Sequence, residues 1–280
     1  MKPIGLIKLL RFHYCLPLTA GYGVIVLYLT QGSLDTLPYA WPLAFVSLFC
    51  VMAGAYALND LWDRASDQIN HPKRVLITGE VSLRGAGLSA AVLFVLSLLC
   101  AIACGVWFLV IMGGVALSLL IYNRWSKQWG LVKAMWVAMM ATSLYPLAWA
   151  LVGSGVGLRV RTLWIHAVWF FLTAMGYEML KDIRDVKGDA VAGSGVGAAI
   201  RTRSWYRILL RTVLMVGAVI VLLPFVLGYC QWVYGVVAAC AVVLACVASF
   251  APLKTALACV YIEVALITLG SLADALVFGF

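Results

Sequence analysis

Asn59-Asp60-Leu61-Trp62-Asp63-Arg64-Ala65-Ser66-Asp67 closes a long apolar run and carries three carboxylates spaced three and four apart. At 100° per residue, Asp60, Asp63 and Asp67 fall within about 60° of one another, so a helix here presents all three on one face. The device recurs at Glu178, Asp182, Asp185 and Asp189, spaced four, three and four, after about 17 mostly apolar residues. Seven of the chain's eleven acidic residues sit in these two clusters. That concentration is the main clue to function.

The surrounding chain says where the clusters lie. Across 280 residues, 65% are hydrophobic and 11% charged, and the mean hydropathy is +1.03. An ordinary soluble domain carries about a quarter charged residues, so this is a polytopic membrane protein. Apolar segments near 12–30, 39–60, 85–104, 105–123, 132–151, 163–180, 208–228, 231–250 and 257–278 are each long enough to span hydrocarbon as a helix. The expected fold is all-α, about nine transmembrane helices forming one domain over 1–280. The boundary at 104–105 is the shortest turn. Backbone groups in lipid are satisfied within each segment, and the alternating strands a barrel needs are missing.

A net charge of +9 raises the question of nucleic acid, but its distribution answers it. With the N-terminus inside, eighteen of the twenty basic residues fall in inner segments, and only Arg159 and Arg161 lie outside. This is the positive-inside pattern of a protein whose partner is the lipid bilayer, not nucleic acid. Both acidic clusters land on the inner side, cytoplasmic in a bacterial inner membrane, and the C-terminus falls outside. The eight cysteines show no CxxC or Cys/His ligand spacing and read as apolar filling. The first apolar stretch is of spanning length without a small-residue cleavage site, so it reads as a retained helix.

Residues 1–11 read as an amphipathic lead-in on the membrane surface, with Leu6, Leu9 and Leu10 set against Lys2, Lys8 and Arg11. Gln31 to Pro38 is a charge-poor outer loop, and Gly153 to Gly157 a glycine-rich outer turn. Pro72 and Gly79 break the chain after the first cluster, predicting an ordered inner loop over 68–84. The inner loop from 181 to 207 is the longest, and its Gly-, Ala- and Val-rich Ala190 to Ala199 part is expected to be mobile. Four spans separate the acidic clusters, a hint of duplication that the flanking residues do not support.

Carboxylates at a membrane are costly unless solvated, paired or bound to a cation, and two bare clusters repel each other. Oxygen ligands without His or Cys suit Mg²⁺ or Ca²⁺, and Mg²⁺ usually takes a carboxylate or two plus phosphate oxygens of a substrate. The chemistry implied is a carboxylate, Mg²⁺ and diphosphate site, with Arg64, Lys73, Arg74, Lys127, Lys181 and Arg184 available for the remaining phosphate charge. Such a site above an apolar cavity suits ionisation of an allylic diphosphate, whose carbocation the walls shelter from water. Asn59 either caps backbone or touches metal or phosphate. His13 and His166 read as packing residues, and His71 as a solvent-facing loop residue.

At these residues the chain resembles the UbiA-type intramembrane prenyltransferases. Asn59, Asp60, Asp63 and Asp67 match an N-D-x-x-D-x-x-x-D motif, and Ile69-Asn70-His71-Pro72-Lys73-Arg74 with Gly79-Glu80-Val81-Ser82 is similar to the family's I-N-x-P-x-R-P-L-x-x-G-x-x-S. Lys181, Asp182, Asp185, Gly188 and Asp189 match K-D-x-x-D-x-x-G-D, and Tyr122 with Lys127 resembles a tyrosine and lysine after the fourth span. The resemblance implies a nine-helix bundle around a central cavity, Mg²⁺ as cofactor, and transfer of a prenyl group from its diphosphate to a lipophilic acceptor. It implies Asp60, Asp63 and Asp67 on one Mg²⁺ and Asp182, Asp185 and Asp189 on another. Asn59, Arg74, Tyr122, Lys127 and Lys181 are then substrate-binding. Glu178 is an outer-shell ligand or lies near the acceptor.

Val75 stands where the family has proline, and Gly-Ala-Ala-Ile at 197–200 replaces T-L-P, which puts the acceptor in question. The expected acceptor is aromatic or a quinone precursor, with a glycerol-phosphate ether lipid or a cyclisation of the prenyl chain itself as alternatives. A divalent-cation transporter is the rival from another class. It requires polar or charged residues along a path at mid-membrane, and Glu263 and Asp274, on the outer side or within the last span, do not make such a path.

Overall fold

A computed structural model describes residues 3–32, 39–126, 129–153, 158–191 and 203–278. The described residues are helical, with no strand, and nine of their helical segments are long and apolar enough to cross a membrane. In order, the helices are α1 (Pro3–Leu9), α2 (Phe12–Leu29), α3 (Ala40–Trp62), α4 (Arg64–Asn70), α5 (Leu83–Ala103), α6 (Val106–Trp125), α7 (Leu131–Thr142), α8 (Leu144–Val152), α9 (Leu158–Val191), α10 (Ser204–Ile220), α11 (Leu223–Val226), α12 (Trp232–Phe250) and α13 (Leu253–Phe278). The expected stretches 33–38, 154–157 and 192–199 lie outside the described residues.

Local chemistry sets the breaks. Gly105 takes a left-handed φ of 110° between α5 and α6, so this tight turn falls on the residue that tolerates that backbone. Pro146 interrupts the fifth span. Its ring occupies the place of an N–H that would bond Thr142, and α7 ends at Thr142. Pro224 does the same to the seventh span, where α10 stops at Ile220. The neighbouring Val221 carbonyl accepts the Tyr234 hydroxyl at 2.7 Å, as a freed polar group in lipid requires.

The chain divides into two compact units. The first comprises Met1–Ala20, Leu37–Lys133 and Asp185–Ala199. In it α3 packs on α5 and α6, and Gly54 lets α3 approach closely: a Cβ there would lie 3.2 Å from the Phe94 ring and 3.3 Å from the Ala90 carbonyl. Ser47 donates to the Ser97 carbonyl at 2.8 Å across the same interface. The loop between α4 and α5 is ordered, as expected. Val75, Leu76 and Val81 pack with Leu9, Ala57, Ala86 and Ala90, the Val81 amide bonds the Val75 carbonyl, and Ser82 caps α5 through the Gly85 amide at 3.1 Å. The lead-in expected over 1–11 is helical over Pro3–Leu9, with Lys8 exposed. Leu9 is fully buried because the loop core needs an apolar lid, and α1 packs on α3.

The second unit comprises Gly21–Thr36, Ala134–Arg184 and Ile200–Phe280. Its core joins Trp169, Val221, Tyr234, Ala238, Ala241 and Ile267. Gly270 admits α12, since a Cβ there would stand 2.7 Å from a Val237 methyl. Both membrane acids of α13 have partners. Glu263 accepts from the Trp169 indole N–H at 2.9 Å and the Thr173 hydroxyl at 3.4 Å. Asp274 accepts the amides of Gln231 and Tyr234 at 2.8 and 3.0 Å, capping α12 from a neighbouring helix. These are the bonds of a structural cap and a packed core.

Candidate active site

The helix expected through the first cluster is interrupted at one residue. α3 ends at Trp62, Asp63 sits at the junction (φ −91°, ψ 9°), and α4 starts at Arg64. The Asp63 amide still bonds the Asn59 carbonyl at 2.9 Å, and the Asp67 amide bonds the Asp63 carbonyl at 2.8 Å. Helical hydrogen bonding therefore carries through the bend, and Asp60 and Asp67 keep a common side. Both are 3% exposed.

Two arginines serve that pair. Arg74 bonds Asp67, and the same Nη1 lies 3.2 Å from Asp60 Oδ1. Arg11 bonds Asp60 and lies over the Tyr56 ring at 4.8 Å. Arg11 adopts a left-handed φ of 47° at the corner between α1 and α2, a conformation costing roughly 1–2 kcal/mol outside glycine. Burial alone depresses its pKa, but Asp60, Tyr56 and Asp67 together hold it above the usual arginine value. Burial pushes Asp67 up to about 6 against the pull of Arg74, and the neighbouring charges of Asp63 and Asp60 add to the rise. Asn59 turns its amide to Asp63 Oδ2 at 2.6 Å, so its contact is with the motif itself.

The second cluster lies along α9, whose 34 residues span about 51 Å and exceed the roughly 30 Å of hydrocarbon. Its helix runs to Val191, so the stretch from 181 expected as loop is helical for three turns, in keeping with the four, three, four spacing of its acids. Glu178 is buried and accepts from Lys181 Nζ at 2.7 Å, with that ammonium 5.6 Å from the centre of the Tyr177 ring. Lys181 thus pairs with an acid of its own helix. Asp182 is 1% exposed and takes a 3.4 Å bond from the buried Tyr206 hydroxyl of α10. Asp185 and Asp189 are half-buried. In the first unit, Asn70 Nδ2 donates to the Asp185 carbonyl at 2.9 Å, and His71 Nε2 stands 3.6 Å from Asp185 Oδ1. His71, read as solvent-facing, faces the second motif.

Tyr122 is half-buried near the end of α6, and Lys127 lies outside the described residues. The sequence alone marks neither Arg11 nor Tyr206 as a site residue, and Asn70, within the Ile69 to Arg74 motif, is given no role there. Arg11 sat among basic residues with an ordinary positive-inside explanation, and its side chain is aimed by a backbone corner that leaves no mark in composition.

Among the described residues, no three acidic, His or Cys side chains converge tightly enough to cage a metal alone. The donors nevertheless suit Mg²⁺. All are carboxylate oxygens, and those of Asp60 and Asp67 converge on one point, marked by the Arg74 nitrogen they share. A cation that draws its other ligands from phosphate oxygens needs no more than that.

Comparison with known proteins gives a consistent result. A model of the UbiA prenyltransferase family matches residues 16–256. A digeranylgeranylglyceryl phosphate synthase of Hyperthermus butylicus is 34% identical over 233 residues, covering 79% of this chain and 74% of that one. Its counterpart in Metallosphaera sedula is 32% identical, covering 82% and 80%. A solved structure concerned with digeranylgeranylglyceryl phosphate synthase in membranes superimposes with a TM-score of 0.75 at 22% identity, over 97% of each chain. A UbiA homologue of Archaeoglobus fulgidus bound to GPP and Mg²⁺ gives 0.67 at 18%, covering 98% of this chain and all of that one.

Proposed function

The chain belongs to the UbiA prenyltransferase family, and from that premise we propose that it moves a prenyl group from an allylic diphosphate onto the hydroxyl of a glycerol-phosphate ether lipid within the membrane. The observation that carries this choice is the name shared by its relatives, digeranylgeranylglyceryl phosphate synthase, at 34% and 32% identity over about three quarters of each chain. An aromatic or quinone-precursor acceptor, the first expectation from the motifs, has no comparable support, and the ether-lipid alternative replaces it.

In this reading Asp60, Asp63 and Asp67 would hold one Mg²⁺ and Asp182, Asp185 and Asp189 a second. When bound there, Mg²⁺ would supply positive charge to the diphosphate, so that the leaving group could take the electron pair of the C1–O bond. Asn59 orients Asp63 through its 2.6 Å bond, and Tyr206 orients Asp182. Arg74 is placed to trade its carboxylate partners for phosphate oxygens, and Lys181 to do the same from Glu178. Tyr122 and Lys127 would be further substrate-binding residues. The acceptor oxygen then bonds to C1 and releases its proton. The Lys and Arg asymmetry supports a cytoplasmic position for the acidic helix ends.

The experiment is diphosphate release from geranylgeranyl, farnesyl and longer allylic diphosphates by reconstituted protein, with Mg²⁺ or EDTA. Acceptors are a glyceryl phosphate bearing one geranylgeranyl ether, 4-hydroxybenzoate, homogentisate, or none. Mg²⁺-dependent release that requires the ether lipid and vanishes in Asp63→Ala and Asp185→Ala supports the proposal. Prenylation of an aromatic acid, or a cyclised hydrocarbon formed without acceptor, would overturn it.

A further inference from the structure

We propose that Asn70 and His71 form a clasp fixing the second aspartate motif to the first, with Asn70 as a positioning residue for metal binding; the proposal rests on the prenyl-transfer reading above. Residues 67 to 74 touch both motifs. Asp67 begins the segment as the last acid of the first motif, and Arg74 ends it as the cation shared by Asp60 and Asp67. Between them, Asn70 reaches the Asp185 carbonyl at 2.9 Å and His71 reaches the Asp185 carboxylate at 3.6 Å.

The segment is stiff enough to transmit position. Asp67 and Asn70 lie one turn apart on α4, and the His71 amide closes that helix on the Asp67 carbonyl at 2.8 Å. Ser66 ties its start through a 2.9 Å bond to the Asp63 carbonyl. The Arg74 amide then bonds the His71 carbonyl at 3.0 Å, and Thr78 closes on Arg74 at 2.9 Å. On the other side, Asp185 lies within α9, so its carbonyl has a second lone pair beyond the helix ladder, and Asn70 takes it. A movement of Asp185 therefore pulls on the turn that bears Asp67. The His71 contact is longer than a hydrogen bond and acts as a secondary restraint on the carboxylate. Groups that orient metal ligands in this way typically contribute 10- to 100-fold in metal affinity.

The test compares wild type with Asn70→Ala, Asn70→Asp and Asn70→Gln in nanodiscs. Asn70→Asp keeps the shape but replaces the donor with an acceptor facing a carbonyl, and it decides the matter should Asn70→Ala fail to fold. Two readouts are used: amide hydrogen exchange over 185–191 without metal, and Mn²⁺ binding by electron paramagnetic resonance. Turnover of geranylgeranyl diphosphate against Mg²⁺ concentration accompanies them. The clasp predicts at least tenfold faster exchange at 185–191 in the Ala and Asp variants and a tenfold or greater rise in half-saturating Mn²⁺ and Mg²⁺. The rate at saturating Mg²⁺ should stay within threefold of wild type, and Asn70→Gln should recover part of the metal affinity. Exchange and half-saturation within twofold of wild type in both Ala and Asp variants would overturn it. A wild-type protein that neither binds Mn²⁺ nor releases diphosphate counts against the prenyl-transfer reading instead, and the exchange comparison then decides the clasp alone.

Discussion

Replacing Arg74 by glutamine should push two properties in opposite directions. In the structure the Arg74 guanidinium occupies the point on which Asp60 and Asp67 converge, through one direct bond to Asp67 and a 3.2 Å approach to Asp60. A divalent cation entering between those carboxylates competes for the same oxygens. One charge-assisted hydrogen bond contributes about 1.5–3 kcal/mol, and the second, longer approach in a site 20% exposed on the arginine side adds little after screening. Removing the competitor should therefore tighten Mn²⁺ binding in the absence of diphosphate by roughly 10- to 100-fold, at about 1.4 kcal/mol per decade. Turnover should fall by at least 10-fold, because the same guanidinium is placed to take phosphate charge. The assay is Mn²⁺ titration by paramagnetic resonance on nanodisc protein, beside diphosphate release at saturating Mg²⁺. Unchanged or weaker Mn²⁺ binding in a variant that retains its size-exclusion profile would refute the competition argument.

Other consequences follow from the same geometry. Asp274→Ala leaves the Gln231 and Tyr234 amides without their cap and should cost about 2–4 kcal/mol; a thermal midpoint lowered by less than about 2 °C would show the cap to be dispensable. Gly270→Val drives a branched side chain into Val237, where even a Cβ meets a methyl at 2.7 Å, and should destabilise by about 1–3 kcal/mol in the same thermal measurement. Asp67 has a folded pKa of about 6 against an ordinary 3.8, so its charged form opposes folding. In EDTA, stability should be greatest below about pH 4 as far as this group is concerned and fall by at most about 3 kcal/mol as pH rises to 6 and beyond. Asp67→Asn should flatten denaturation midpoints between pH 4 and 7, and a slope unchanged by that substitution would assign it to other groups.

Much of this was legible because lipid restricts the choices. Every span expected from hydropathy is present, and the uncertain 104–105 boundary falls on Gly105, whose backbone only glycine adopts easily. The acidic clusters were visible because charge is scarce in this chain and helical spacing is regular. What the spacing concealed was the partner of each acid. Arg11 is 49 positions from Asp60, and Tyr206 lies beyond a long connection from Asp182; neither pairing has a periodicity. The bend at Asp63 was also hidden, since no proline or glycine marks it. The partners of Glu263 and Asp274, an indole and a pair of helix-end amides, were equally hidden from the sequence.

The length of α9 bears on how such an enzyme is to be assayed. Its acids begin at Glu178, about 20 residues in from the helix start at Leu158, a rise of roughly 30 Å, about the thickness of the hydrocarbon. On the proposed reading the chemistry lies at headgroup height, and an ether-lipid acceptor would keep its phosphate in the interface and lower only its tail. Both substrates of that reading would arrive by lateral diffusion, and the concentration governing encounter would be mole fraction per unit of bilayer. Diluting the reconstituted membranes with buffer should leave the rate per enzyme untouched, whereas adding inert phospholipid to the same vesicles should slow it in proportion.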